Sequence, residues 1–203
     1  MTMGKLVVID GIDGSGKSTL AKKIADNNDM EYLSIFEERY MINELIQVAK
    51  LDGKTYHAIF SDRLINYAWM IDLYVSANEK LVTLLRKGKN VILDRYILSA
   101  KVYSLATTTS DISKSFDIYS LLPVPHVGLY LSIDVNCAVR RIEKRKKIKA
   151  FYENKEDLLK IAETYEMMLP KEKSYPIITI KGNDDIKNVY ENSLSVLNMY
   201  GII

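Results

Sequence analysis

Lys5-Leu6-Val7-Val8-Ile9-Asp10-Gly11-Ile12-Asp13-Gly14-Ser15-Gly16-Lys17-Ser18 runs from an aliphatic stretch straight into a glycine-rich loop. Residues 5–10 have no apolar–polar alternation, as in a strand covered on both faces. Residues 18–27 read as a helix. Between them, Gly11-x-x-x-x-Gly16-Lys17-Ser18 is a complete P-loop pattern in the context it needs, after a strand and before a helix. The glycines let successive backbone N–H groups turn toward one anion, and the helix N-terminus adds about half a positive charge. Lys17 suits the β- and γ-phosphates, and the Ser18 hydroxyl suits Mg²⁺. Gly11, Asp13, Gly14, Ser15, Gly16, Lys17, Ser18 and Thr19 are therefore the expected ATP-binding residues.

Outward from the loop, strands are expected over 31–36, 90–94, 127–133 and 175–180. Helical patterns cover 56–87, 99–105, 135–147, 155–169 and 184–199. The helix over 56–87 should stop at Gly88 after the cations Arg86 and Lys87. Alternating strands and helices predict an α/β fold, a five-stranded parallel sheet flanked by helices, with ligands at the carboxyl ends of the strands. No repeat or linker divides the chain, so residues 1–203 are expected to form one P-loop NTPase domain. A net charge of +2 gives no argument for nucleic acid binding. One cysteine, Cys137, allows no disulfide within the chain. No apolar run approaches the roughly 18 residues of a membrane span, and the N-terminus lacks the apolar core of a signal peptide. A cytoplasmic protein without membrane or nucleic-acid partners is the expectation.

A P-loop names a donor but not an acceptor. The second signal is Val91-Ile92-Leu93-Asp94-Arg95-Tyr96, a buried strand ending in a carboxylate and a guanidinium at the ligand-binding edge. Asp94 is placed to hold Mg²⁺ with Ser18, and Arg95 to hold a phosphate. Here the sequence resembles the thymidylate kinase family. The resemblance rests on Asp13-Gly14-Ser15-Gly16-Lys17-Ser18-Thr19, on Asp94-Arg95-Tyr96-x-x-Ser99-x-x-x-Tyr103, on Leu122-Pro123-x-Pro125, and on Tyr152-Glu153-Asn154. It implies in-line transfer of the γ-phosphate of ATP to dTMP, with Mg²⁺, in a homodimer.

The resemblance also implies roles for single residues. Lys17, Asp94 and Arg95 would be catalytic, with Arg95 on the acceptor phosphate. Arg39, in Phe36-Glu37-Glu38-Arg39, would contact that phosphate, although Glu37 stands where some members have proline. Asp13, Ser99, Tyr103 and Glu153 would lie around the acceptor sugar or metal. The segment 140–149 carries seven cations and marks a short basic lid at about 142–152. Gly14 leaves the P-loop without an arginine, so Arg145 or a neighbour would supply charge to the transition state, with Arg141 against the donor adenine.

Members of the family read the acceptor base with Phe and, four residues later, Arg. Phe60 and Arg63 are only three apart; another register places Trp69 and Leu73 at those points. Phe60 and Arg63 are kept as base-reading candidates. Tyr56, Tyr67 and Trp69 could stack on a base. Ala100 and Ser104 stand near Tyr103, where an amide is common. A kinase for another nucleoside monophosphate or a nucleoside remains open. So does a regulatory nucleotide-binding protein. A GTPase is favoured only by the letters of Asn154-Lys155-Glu156-Asp157, which do not follow a strand.

Overall fold

The computed structural model describes residues 2–37, 39–109, 111–145 and 152–203. Strand β1 (Leu6–Asp10) lies at the centre and leads through the glycine-rich loop into α1 (Lys17–Asn27). β2 (Glu31–Leu33) is followed by α2 (Met41–Leu51), α3 (Tyr56–Ile59) and α4 (Asp62–Ser76). A π-helical turn, Ala77–Leu81, joins α4 to α5 (Val82–Arg86), and β3 (Val91–Asp94) then enters the sheet. α6 (Ile97–Thr107), β4 (Val127–Ser132), α7 (Val135–Glu143), α8 (Lys155–Met168), β5 (Ile177–Lys181) and α9 (Ile186–Met199) complete the chain.

The sheet is parallel throughout, in the order β2-β3-β1-β4-β5. β1 is flanked by β3 and β4, so the chain leaves β1 toward one edge and later returns to the other side. That reversal opens a crevice at the carboxyl end of β1, where the glycine-rich loop emerges. The pleat explains why β1 shows no alternation. Leu6 and Val8 pack with Met70, Leu73, Leu81 and Leu85 on one face. Val7 and Ile9 pack with Leu20, Ile24, Val189 and Leu197 on the other. Each such side chain contributes about 1.5–3 kcal/mol by leaving water.

Four expectations need correction. The strand expected over 31–36 is only Glu31–Leu33, because Ile35–Glu37 turns as a 3₁₀ helix that drops Ile35 into the core. The long helix expected over 56–87 is broken at Phe60 and Ser61, both extended. Ser61 there caps α4, its hydroxyl oxygen accepting from the Leu64 N–H at 3.4 Å. The stop at Gly88 is present, with φ 76°. α2 was not anticipated; its first amides, Met41 and Ile42, donate to the buried carboxylate of Asp72 on α4 at 2.6 and 3.1 Å. α7 ends at Glu143, short of the expected 147, and most of the expected lid, residues 146–151, lies outside the described residues.

Candidate active site

The loop is built for an anion. Gly11, Gly14 and Gly16 have φ of 148°, 80° and 97°, a region that L side chains avoid. Gly14 is required twice over, because a Cβ there would lie 2.6 Å from the carbonyl oxygen of Ala138 on α7. The first turn of α1 has neither a capping side chain among the described residues nor an acidic residue of its own, which leaves a helix N-terminus suited to an anion. The buried Ser15 hydroxyl has no partner among the described residues.

Lys17 lies over the loop with Nζ 3.3 Å from the Ile12 carbonyl and 3.6 Å from Asp13. Burial, followed by the nearby Arg95 charge, pushes its pKa down, while Asp13 opposes the shift. Ser18 and Thr19 are exposed on the same turn. Beside them, the register pairs Ile9 with Asp94, and the Arg95 N–H donates to the Ile9 carbonyl at 2.9 Å. Asp94 is buried. One carboxylate oxygen is 3.5 Å from the Tyr32 hydroxyl, and the other has no partner among the described residues. A buried carboxylate oxygen with no donor among the described residues, and the exposed Ser18 hydroxyl, are ligand types that suit a hard divalent cation.

Arg95 has φ 71°, rare for a residue with a side chain, and this turns its guanidinium back under the loop. Nη2 donates to Asp13 at 2.7 Å and lies 2.7 Å from the Tyr103 hydroxyl, which itself donates to Asp13 at 3.0 Å. The guanidinium also lies over the Tyr103 ring, 4.6 Å from its centroid. Burial alone would raise the Asp13 carboxyl, but Arg95 and Lys17 outweigh it and hold it well below the usual carboxylate range. Beneath this trio, the Ser99 hydroxyl donates to buried Asp10 and lies 2.6 Å from the Tyr165 hydroxyl. Burial pushes Asp10 up to about 6, against the pull of Ser99 and Arg95.

A cavity of about 340 Å³ opens from this cluster. Asp13, Arg95, Ser99 and Tyr103 line its floor, and Phe36, Arg39 and Trp69 line one wall. The Arg39 guanidinium sits 5.4 Å from the Trp69 ring centroid, and the Phe36 ring 6.2 Å from it. The structure therefore gathers most of the anticipated acceptor residues around one space. It does not bring Phe60 or Arg63 there. Phe60 packs against Ile42, Ile65 and Ala68, and Arg63 is exposed on α4. The break at Ser61 sets the phase of α4 so that Asn66 and Trp69 face the cavity instead, while Leu73 is in the core. Ala100 and Ser104 on α6 also line it, as do Tyr56, Tyr119 and Tyr152. Asn66 and Tyr119 were missed. Their only sequence signal is helical or turn phase, which needs the caps to be located first. Tyr67 is exposed.

Among the lid residues, Arg141 binds the backbone: its guanidinium donates to the Ser15 and Gly182 carbonyls at 3.1 and 3.0 Å. Arg145 is 42% exposed, and its Nη1 lies 3.3 Å from the mostly buried carboxylate of Glu153. Its charge is close enough to lower the pKa of Lys17. Glu153 is therefore a partner of the lid cation and is not part of the cavity wall. Among the described residues, no helix is long and apolar enough to cross a membrane.

The sequence profile of the thymidylate kinase family matches residues 9–192. A thymidylate kinase of Leptospira borgpetersenii is 32% identical over 196 residues, covering 89% of this chain and 88% of that protein. One from Leptospira interrogans is 28% identical over 94% of this chain and 92% of its own length. Among solved structures, thymidylate kinase from Candida albicans superposes with a TM-score of 0.75 at 22% identity, covering 98% of this chain and 93% of its own. Deoxyadenosine kinase from M. mycoides with bound dATP has a TM-score of 0.68 at 19% identity, covering 96% and 99%.

Proposed function

The chain belongs to the thymidylate kinase family, and we propose that it transfers the γ-phosphate of ATP to dTMP, giving dTDP. The observation that carries this reading is the meeting of Asp13, Arg95 and Tyr103 where the phosphate loop opens into the aromatic cavity. A donor site and an acceptor site share one wall there. Catalysis in such a reaction is mostly positioning and charge neutralisation.

The loop amides and Lys17 hold the donor phosphates. Ser18 and Asp94 would hold Mg²⁺, which would supply charge neutralisation for the transferred group. Arg95, kept rigid by Asp13 and Tyr103, holds the acceptor phosphate in line, and Arg39 lines the same cavity. Ser99 and Tyr103 flank the acceptor sugar. Asp13 stays ionised at neutral pH, which balances two cations beside two phosphates. Arg145 leaves Glu153 and adds its charge as the terminal phosphoryl group moves, while Arg141 borders the donor site.

The protein works as a homodimer. In support, Leu64, Tyr67 and Ile71 form an exposed apolar stripe along α4, next to Met41, Val48 and Leu51 on α2. A cytoplasmic setting suits its single, free Cys137. A coupled ADP-release assay across nucleoside monophosphates and nucleosides tests the reading. Turnover centred on dTMP is expected; no turnover with any acceptor would leave a binding protein. Sedimentation as a monomer would refute the dimer.

A further inference from the structure

The cavity wall holds an amide that the fold itself only half uses. Asn66 is 6% exposed, on the face of α4 that also carries Trp69. Its Nδ2 donates one N–H to the Asp62 carbonyl at 2.9 Å. The second N–H and Oδ1 have no partner among the described residues, and both belong to a group lining the cavity. Ser104, also buried, faces the same space. An amide held at one N–H, with its other N–H and its oxygen turned to a cavity, is free to pair with a ligand that supplies the complementary edge.

We propose that Asn66 is the residue that selects the acceptor base, by pairing with the imide edge of a 4-oxo pyrimidine. This rests on the dTMP kinase reading above. Oδ1 accepts from the base N3–H, and the free amide N–H donates to O4. A guanidinium offers donors only and could make just the second of these bonds. A free amide could turn over and pair as well with a 4-amino base, whose donors and acceptors are reversed. Asn66 is not free to turn over. Rotation would set Oδ1 against the Asp62 carbonyl and break the bond that holds the side chain. The tie to Asp62 therefore makes an ambivalent group directional. Arg63, exposed on the same helix, is not needed for this pairing.

The test compares kcat/KM for dTMP, 3-methyl-dTMP and dCMP with the wild-type enzyme, and for dTMP and dCMP with Asn66→Leu and Asn66→Asp. Wild-type enzyme should turn over 3-methyl-dTMP, which lacks the N3–H, at least about ten-fold less well than dTMP. Asn66→Leu should cut the preference for dTMP over dCMP by about ten-fold or more. Asn66→Asp, which places an acceptor opposite O4 and toward the 4-amino group, should cut it further. KM for ATP should hold in each variant. A merely structural asparagine would lower both acceptors in proportion. An unchanged dTMP-to-dCMP ratio in an active variant, or full turnover of 3-methyl-dTMP, overturns the role of Asn66 and leaves the kinase reading standing. A wild-type protein that phosphorylates no pyrimidine monophosphate overturns both. The substrate arm needs no variant, so a variant that fails to fold does not rescue the proposal.

Discussion

Asp10→Asn should make the protein more stable, and only above a definite pH. Asp10 ends β1 and is 2% exposed. Its carboxylate accepts from the Ser99 hydroxyl and the Tyr96 backbone amide. Arg95 is near, but that cation is already committed to Asp13 at 2.7 Å, so burial dominates and lifts Asp10 from 3.8 to about 6. At about 1.4 kcal/mol per pH unit, keeping this group ionised in the fold costs about 3 kcal/mol at neutral pH. The sign follows from linkage. Between pH 3.8 and 6 the native state binds more protons than the unfolded chain, so wild-type stability falls through that window as pH rises. Below pH 3.8 the carboxyl is neutral in both states and the penalty is absent. An amide cannot accept from both donors, which takes back about 1 kcal/mol. The Ser99 hydroxyl can reverse, because Tyr165 beside it can donate or accept. A net gain of about 2 kcal/mol is expected above pH 6, equivalent to several degrees in melting temperature for a chain of this size. Urea unfolding of both proteins from pH 3.5 to 7.5 measures it. The difference should be near zero or slightly negative at the acid end, grow through the window, and flatten above it. A constant difference would show that the gain does not come from the Asp10 charge. A loss that grows with pH would show that attraction to Arg95 outweighs burial.

Other outcomes can be checked by similar means. Arg145→Ala should lower kcat by about a hundred-fold while both KM values stay within a few-fold, as for loss of a charge used only in the transition state; an unchanged kcat rules Arg145 out. Gly14→Ala should destabilise the protein by more than Gly53→Ala and raise KM for ATP. Both positions have positive φ, costing about 1–2 kcal/mol with a side chain, but only at Gly14 does a Cβ meet backbone, since nothing lies within 4 Å at Gly53. Equal losses by thermal melting would show that the approach of Ala138 is unimportant. Arg95→Lys should keep a charge near Asp13 yet lose the two-nitrogen grip, Nη2 on Asp13 and Tyr103 and Nη1 toward Ser99 and Tyr165, raising KM for dTMP about ten-fold or more; a KM within two-fold of wild type would remove Arg95 from the acceptor site.

The donor half of the site was legible because its chemistry is contiguous. Six residues of loop, the strand before it and the helix after it carry their own geometry, and Asp94 with Arg95 ends a strand visible as an apolar run. The acceptor half depends on the phase and breaks of helices, which are tertiary facts. The apolar pattern over 56–87 reads straight through Phe60 and Ser61, because residue 64, where an acidic partner would reinforce a Ser61 cap, is leucine. Without that break, α4 cannot be phased, and Phe60 and Arg63 look like base readers while Asn66 does not. α2 was hidden for a different reason. Its cap, Asp72, lies thirty residues away on another helix, so no local start signal exists. Glu153 was expected at the acceptor sugar from resemblance alone; its contact with Arg145 needs both ends of the lid in place.

The contact between Gly14 and Ala138 makes two architectures mutually exclusive. A side chain reaching out of the loop at that position requires α7 to stand off, and α7 seated on the loop forbids the side chain. This chain has the seated form, and the short distance from the end of α7 at Glu143 to Arg145 is its counterpart. Position 14 and the end of α7 are therefore one choice made in two places. An exchange at either alone is expected to fail, and a working rearrangement has to change both together.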